Sequence, residues 1–204
     1  MNASRITWLV LAGLALACAA PKQAWRETTP PEVFVELLPK GAELTIDGKP
    51  FGSGAHTVAV PDPAHVYVLR ASAKGFLPAE RSEAGARLSG ARVGLALRPE
   101  GFGSGRRFDI DDGSGIALAA ALLEKKGQHA LALEYADRAV ELAPEQPLGH
   151  RVAGDAALAL GQRKRAIQAY STYLAVAPDA PDKAAVAQRV EGLRGDLTIP
   201  PMVK

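Results

Sequence analysis

AALLEKKGQHALALEYADRAVELAP, residues 120–144, is followed after nine residues by GDAALALGQRKRAIQAYSTYLAVAP, residues 154–178. Set one above the other, the two stretches share a register of 34 residues: Ala120 with Gly154, Gly127 with Gly161, Ala132 with Ala166, Pro144 with Pro178. From Ile116 onward the apolar period is 3.6, and alanine is abundant. Each copy therefore reads as a small residue, a short helix, a glycine turn, an alanine-containing helix and a proline stop. The small residues let the two helices approach, and the glycines permit a tight turn between them. Ala132, Ala136 and Ala139, with Ala166 and Tyr170 in the second copy, place interlocking groups on one face. Pro144 and Pro178 end the second helix by lacking an N–H and clashing with the preceding turn.

Period and motif together resemble the tetratricopeptide repeat. The two copies cover about residues 113–146 and 147–180. There are departures: Tyr173 stands where the first copy has Ala139, and Ile116 and His150 occupy the usual tryptophan place. Asp182 to Leu193, with Ala185, Val186, Arg189, Val190 and Leu193 on one stripe, predicts a capping helix over the second copy, ending the module near residue 194, with 195–204 as a tail. About three repeats are normally needed for stability, so the array is expected to pack on the preceding β region or on another chain. The resemblance implies a concave binding face lined by the first helix of each pair. The outward polar residues there are Glu124, Lys125, Arg151 and Asp155, and Arg151 suits a bidentate grip on a carboxylate. The bland reading is that these four only solubilise an alanine-rich helix pair.

Upstream, residues 101–115 are glycine-rich and charged and read as an interdomain linker, with the last Asp or Ser, Asp112 or Ser114, capping the following helix. Residues 33–100 carry strand period instead. Phe34–Leu38, Leu44 with Ile46, Thr57–Val60, Val66–Leu69 and Arg92–Leu97 are short β-prone runs, and Asp47-Gly48 is a hairpin signal. Gly52-Ser53-Gly54, Pro61-Asp62-Pro63 and Lys74-Gly75 mark further turns. The expected fold is α+β in two domains, a small antiparallel β domain followed by a helical hairpin array. Pro39-Lys40-Gly41-Ala42, the run Leu44 to Lys49, Gly52 and Lys74-Gly75-Phe76, in that order, resemble the PEGA domain. Gly52 to His56 departs from it, with Ser53-Gly54 in place of the usual Thr-Pro. The resemblance implies a compact envelope module with no catalytic residues.

At the N-terminus, Arg5 precedes an uncharged apolar run, Ile6–Ala17, and Cys18, the single cysteine, closes it. Leu14-Ala15-Leu16-Ala17 before the thiol resembles a bacterial lipobox, although Ala15 stands where leucine is commonest. Residues 1–17 would then be a lipoprotein signal peptide, 18–32 a tether, and Cys18 the point of lipid attachment. A cleaved signal leaving a free thiol and an uncleaved anchor are the competing readings. The first leaves an unpaired cysteine in an oxidising compartment, and the second needs ~20 apolar residues to span a bilayer. Ala19, where inner-membrane retention signals carry Asp, points to the outer membrane, facing the periplasm or the cell surface.

The charges are 24 basic against 22 acidic, a net of +2 that falls to +1 without residues 1–17. Such a balance gives no reason to propose nucleic acid as a partner. His56, His65, His129 and His150 form no metal-binding frame, and neither a nucleophile elbow nor a dinucleotide fingerprint is present. Asp109 to Gly113 fails as a calcium loop, since Ala120 falls where the bidentate Glu belongs. Arg163-Lys164-Arg165 reads as a solvated basic face. No cofactor and no metal are expected. The residues point to a non-catalytic envelope lipoprotein that acts as a membrane-anchored protein-interaction scaffold, holding membrane lipid through Cys18 and another envelope protein or peptide segment in its helical groove. The alternative is a structural, cell-wall-associated protein whose β domain binds glycan and whose helices mediate self-association.

Overall fold

The computed structural model describes residues 30–103 and 108–198. Cys18, the signal segment 1–17 and all but the last three residues of the expected tether lie outside the described residues. The architecture is α+β, antiparallel-rich sheets followed by helices.

Three strands, β1 (Glu32–Leu38), β4 (His56–Ala59) and β8 (Arg92–Ala96), form one sheet with β1 in the centre. Four others form the second sheet, in the order β3 (Lys49–Ser53), β2 (Glu43–Ile46), β5 (Val66–Ser72) and β7 (Ala79–Ala84). Two short strands, β6 (Phe76–Leu77) and β9 (Arg98–Pro99), pair separately, and a single helical turn, α1 (Gly85–Leu88), joins β7 to β8. Alternation sorts the side chains: Val33, Val35 and Leu37 on β1, Leu44 and Ile46 on β2, and Leu69 and Ala71 on β5 all face the core. The Asp47-Gly48 pair closes the β2–β3 hairpin with both residues at positive φ, 49° and 75°. Asp47 also accepts the Val68 N–H at 2.9 Å, and that bond, helped by His65, holds its carboxyl below the usual range.

The sheets are not wholly antiparallel. β8 lies parallel to β1, with Phe34 opposite Arg92 and Leu38 opposite Ala96. The chain passes through the whole second sheet between these strands, and so long a connection permits parallel pairing. β7, Ala-Glu-Arg-Ser-Glu-Ala, has no apolar alternation and is a strand only because it pairs along β5.

The helices keep the 34-residue register at every boundary. α2 (Gly113–Lys125) and α4 (Pro147–Ala159) correspond, as do α3 (His129–Leu142) and α5 (Arg163–Val176). The hairpin glycines Gly127 and Gly161 share φ near +72°, the left-handed conformation that glycine adopts without Cβ strain. α6 (Lys183–Thr198) follows, running past the expected end near residue 194. Gly154 lies against the Tyr170 ring so closely that a Cβ would come within 2.5 Å of it.

Sheets and helices share one core. Tyr135 on α3 is fully buried, stacks on Phe76 with ring centroids 5.9 Å apart, and donates its hydroxyl to the Leu97 carbonyl at 2.7 Å. Beside it Glu134 accepts the Lys40 backbone N–H at 2.5 Å, so α3 grips the turn that follows β1. Burial pushes the Glu134 carboxyl above its usual range. The stretch expected as a linker is partly structured: α2 begins at Gly113, Asp112 caps it by accepting the Gly115 N–H at 3.0 Å, and Ile110 is buried directly on Gly94. Apolar residues inside a glycine-rich run, Phe108 and Ile110, found a core to enter.

Candidate functional site

The four residues expected to line a groove do not meet at one place. Glu124 and Lys125 sit in the last turn of α2. Glu124 is taken up by His129, whose Nδ1 lies 2.9 Å from both carboxylate oxygens and locks the α2–α3 turn. Lys125 is exposed. Arg151 and Asp155, one turn apart on α4, come together with side chains from α5, α6 and the segment between them.

Here the Arg151 guanidinium bonds the Asp182 carboxylate at 2.5 Å through Nη1, and its Nε lies 3.2 Å from Asp155. The Tyr173 hydroxyl donates to the other Asp182 oxygen at 2.5 Å. Tyr170 donates to Asp155 at 2.7 Å, and Arg189 of α6 donates to Asp155 at 3.1 Å and to the Tyr170 hydroxyl at 3.2 Å. Both guanidinium groups stand over the Tyr170 ring, Arg151 at 5.9 Å and Arg189 at 5.7 Å from its centroid. Two cations and two carboxylates thus balance in charge, hydrogen-bonded by two hydroxyls, where α4, α5 and α6 meet.

The electrostatics fix the charge state of each member of the cluster. The Tyr173 hydroxyl bond and the Arg151 charge hold the Asp182 carboxyl below its usual range. Burial and the bond to Asp155 push the Tyr170 hydroxyl up to about 12, and the bond to Asp182 raises Tyr173. These shifts favour the ionised carboxylate and the neutral phenols, the forms in which the hydroxyls donate to the carboxylates.

The same positions in the first hairpin are built of other residues. Thirty-four residues earlier, Arg151, Asp155, Tyr170 and Tyr173 correspond to Ala117, Ala121, Ala136 and Ala139. Ala117, Ala136 and Ala139 are fully buried where α2 and α3 receive α4. The internal junction is close-packed alanine, and the terminal one is polar and aromatic. In the aligned copies Tyr173 against Ala139 is the departure that belongs to this cluster; the roles of Asp182 and Arg189 depend on how α6 and the segment before it pack.

The remaining polar groups hold the fold. His150 is buried and its Nε2 meets the Pro144 carbonyl at 2.7 Å, and His65 pairs with Asp47 at 2.9 Å. Arg165 of the basic triplet pairs with Asp137, tying α5 to α3. A cleft of about 620 Å³ opens between β7 and β8, lined by Glu80, Arg81, Arg98, Phe108 and Asp109 among others. Among the described residues no three His, Cys, Asp or Glu side chains are placed to hold a metal, and no helix is long and apolar enough to cross a membrane. No protein-family model matches the chain, and no curated protein is similar to it.

Proposed function

We propose that this chain is a bacterial envelope lipoprotein, lipid-anchored through Cys18 at the outer membrane, and that it works as a non-catalytic scaffold recruiting another envelope protein to its helical module. In this reading the helices are two tetratricopeptide repeats with a cap, and the β region is of PEGA type. The observation that carries it is the register of the helices: both hairpins begin and end 34 residues apart, with a positive-φ glycine at each turn. Equal repeat units stack into extended surfaces, and such surfaces serve binding. The lipobox-like run before Cys18 supplies the anchor, and more than one acyl chain suffices to hold it stably. The shared core of sheets and helices supports a rigid presentation of the helical module on the β region.

Two measurements test the proposal. Cys18→Ser should abolish acyl labelling and release the chain from the membrane fraction; a variant that stays bound refutes the anchor. Crosslinking of the wild-type chain in native membranes should recover one partner protein, and recovery of none refutes the scaffold.

A further inference from the structure

Each sheet ends in an open strand edge at the cleft between β7 and β8, and the two edges face one another there. Hydrogen-bond alternation tells which main-chain groups point into the gap. On β8 the Ala91 carbonyl and the Leu97 N–H are bonded to β1, so the N–H and carbonyl of Gly94 and Ala96 turn the other way. On β7 the Gly85 N–H bonds the His65 carbonyl, which directs Arg81 and Glu83 to β5 and turns Glu80 and Ser82 outward. On that free side none of these four residues has a main-chain partner among the described residues. The β6–β9 ladder, ending at Leu77 and Arg98, bounds the cleft at one end, and α1 joins its walls at the other.

Both walls therefore offer donors and acceptors in rows that repeat every second residue, about 6.7 Å apart. An extended peptide satisfies two such rows at once, because its own N–H and C=O groups line both of its edges with the same repeat. A helix has already spent those groups internally. Side chains narrow the choice further. Arg81 is the cross-strand neighbour of the core residue Leu69 and so shares the core-side face of β7, where an inward charge keeps apolar strands from adding indiscriminately. Glu83 matches that charge at 3.6 Å. Arg98 has no carboxylate partner among the described residues; its guanidinium stands 5.8 Å from the Phe108 ring centroid at the wall of the cleft. We propose that the β7–β8 cleft takes up an extended segment of a partner protein as an added strand, with a carboxylate of that segment on Arg98. Main-chain bonds to the two open edges supply the affinity, and the carboxylate fixes the register. The inference goes beyond the scaffold reading, since it uses the β region and none of the helical module.

The test uses the full chain and, as probe, a fluorescein-labelled hexapeptide of sequence Thr-Val-Glu-Val-Thr-Val, read by fluorescence anisotropy. The wild type should bind it saturably, and N-methylation of every second peptide residue, which blanks one row of N–H groups, should weaken binding at least ten-fold. Ser82→Pro deletes an N–H that faces the cleft from an edge strand, a place where proline is tolerated, and should weaken binding as far while circular dichroism is unchanged. Replacing the peptide's Glu by Gln should weaken binding to the wild type, and Arg98→Gln should erase that preference. No saturable binding, equal binding of the N-methylated peptide, or a Glu preference that survives Arg98→Gln overturns the proposal. A chain that sediments as a dimer and comes apart on Ser82→Pro also overturns it, because the occupant is then a second copy. Should the Ser82→Pro chain not fold, hydrogen exchange on the wild type decides. The amides of Ser82 and Gly94 are expected to exchange at least ten-fold more slowly with peptide bound, and unchanged rates refute strand addition.

Discussion

Tyr135→Phe is the sharpest probe of how the sheets and helices are joined. The substitution keeps the buried ring and its stacking on Phe76 and deletes only the hydroxyl. That hydroxyl reaches two carbonyls, Leu97 at 2.7 Å and Leu38 at 3.2 Å. Leu38 keeps another donor, the Leu97 N–H at 2.7 Å, so the loss falls on the Leu97 carbonyl. An acceptor stranded in a dry site costs about 1–3 kcal/mol, so we expect about 2 kcal/mol of lost stability. For a body of this size that is a fall in Tm of about 4–8 °C. Urea unfolding followed by far-UV circular dichroism reads it, with m unchanged if the compactness of both states is preserved. Tyr135→Ala removes the ring as well and should cost about 3–5 kcal/mol, loosening the helices from the sheets so that unfolding loses its single transition. A Tyr135→Phe protein within about 0.5 kcal/mol of wild type, the range of neutral surface changes, would refute the reasoning, for the Leu97 carbonyl would then be finding water.

Gly154→Ala drives a methyl into the Tyr170 ring and should destabilise by about 1–3 kcal/mol, whereas Gly192→Ala, in open space on α6, should stabilise by roughly 0.5–1 kcal/mol; paired thermal melts compare the two. The carboxyl of Asp182 titrates below its ordinary value of 3.8 when folded, so its contribution is complete above that pH and is lost as pH falls through the lower folded value. Hydrogen exchange of α6 across acid pH should show that loss, and Asp182→Asn should remove the dependence. Tyr170 moves the other way: its folded value is about 12 against an ordinary 10, so its contribution is complete below pH 10 and declines as pH rises toward 12. Phenolate absorbance should therefore show a late tyrosine whose ionisation coincides with the release of α6, and simple titration near pH 10 would contradict the burial of that hydroxyl.

What was legible in the chain follows from the range of the signals. Asp47-Gly48, the proline stops and the glycine turns are local instructions, read within a few residues, and the strands and hairpins they punctuate lie where those residues place them. β7 was not legible, because nothing in Ala79–Ala84 alternates and only its partner β5 makes it a strand. Phe108 and Ile110 looked like linker because their neighbours are glycine and aspartate; their burial depends on Gly94 and on the face of β8. Arg151 and Asp155 stand out in the sequence as polar residues on an alanine-rich helix, whereas their partners Tyr170, Tyr173, Asp182 and Arg189 are set by how α5, α6 and the segment between them pack on α4.

By itself the amino-acid sequence determined the repeat unit, its 34-residue period and the class of each large element, since periodicity and turn chemistry act through near neighbours. The tertiary structure decided the parallel pairing of β8 with β1, the fusion of sheets and helices around Tyr135, and the closing of a polar end face by α6. Those depend on complementarity between residues far apart in the chain, where no period runs and only packing chooses the partner.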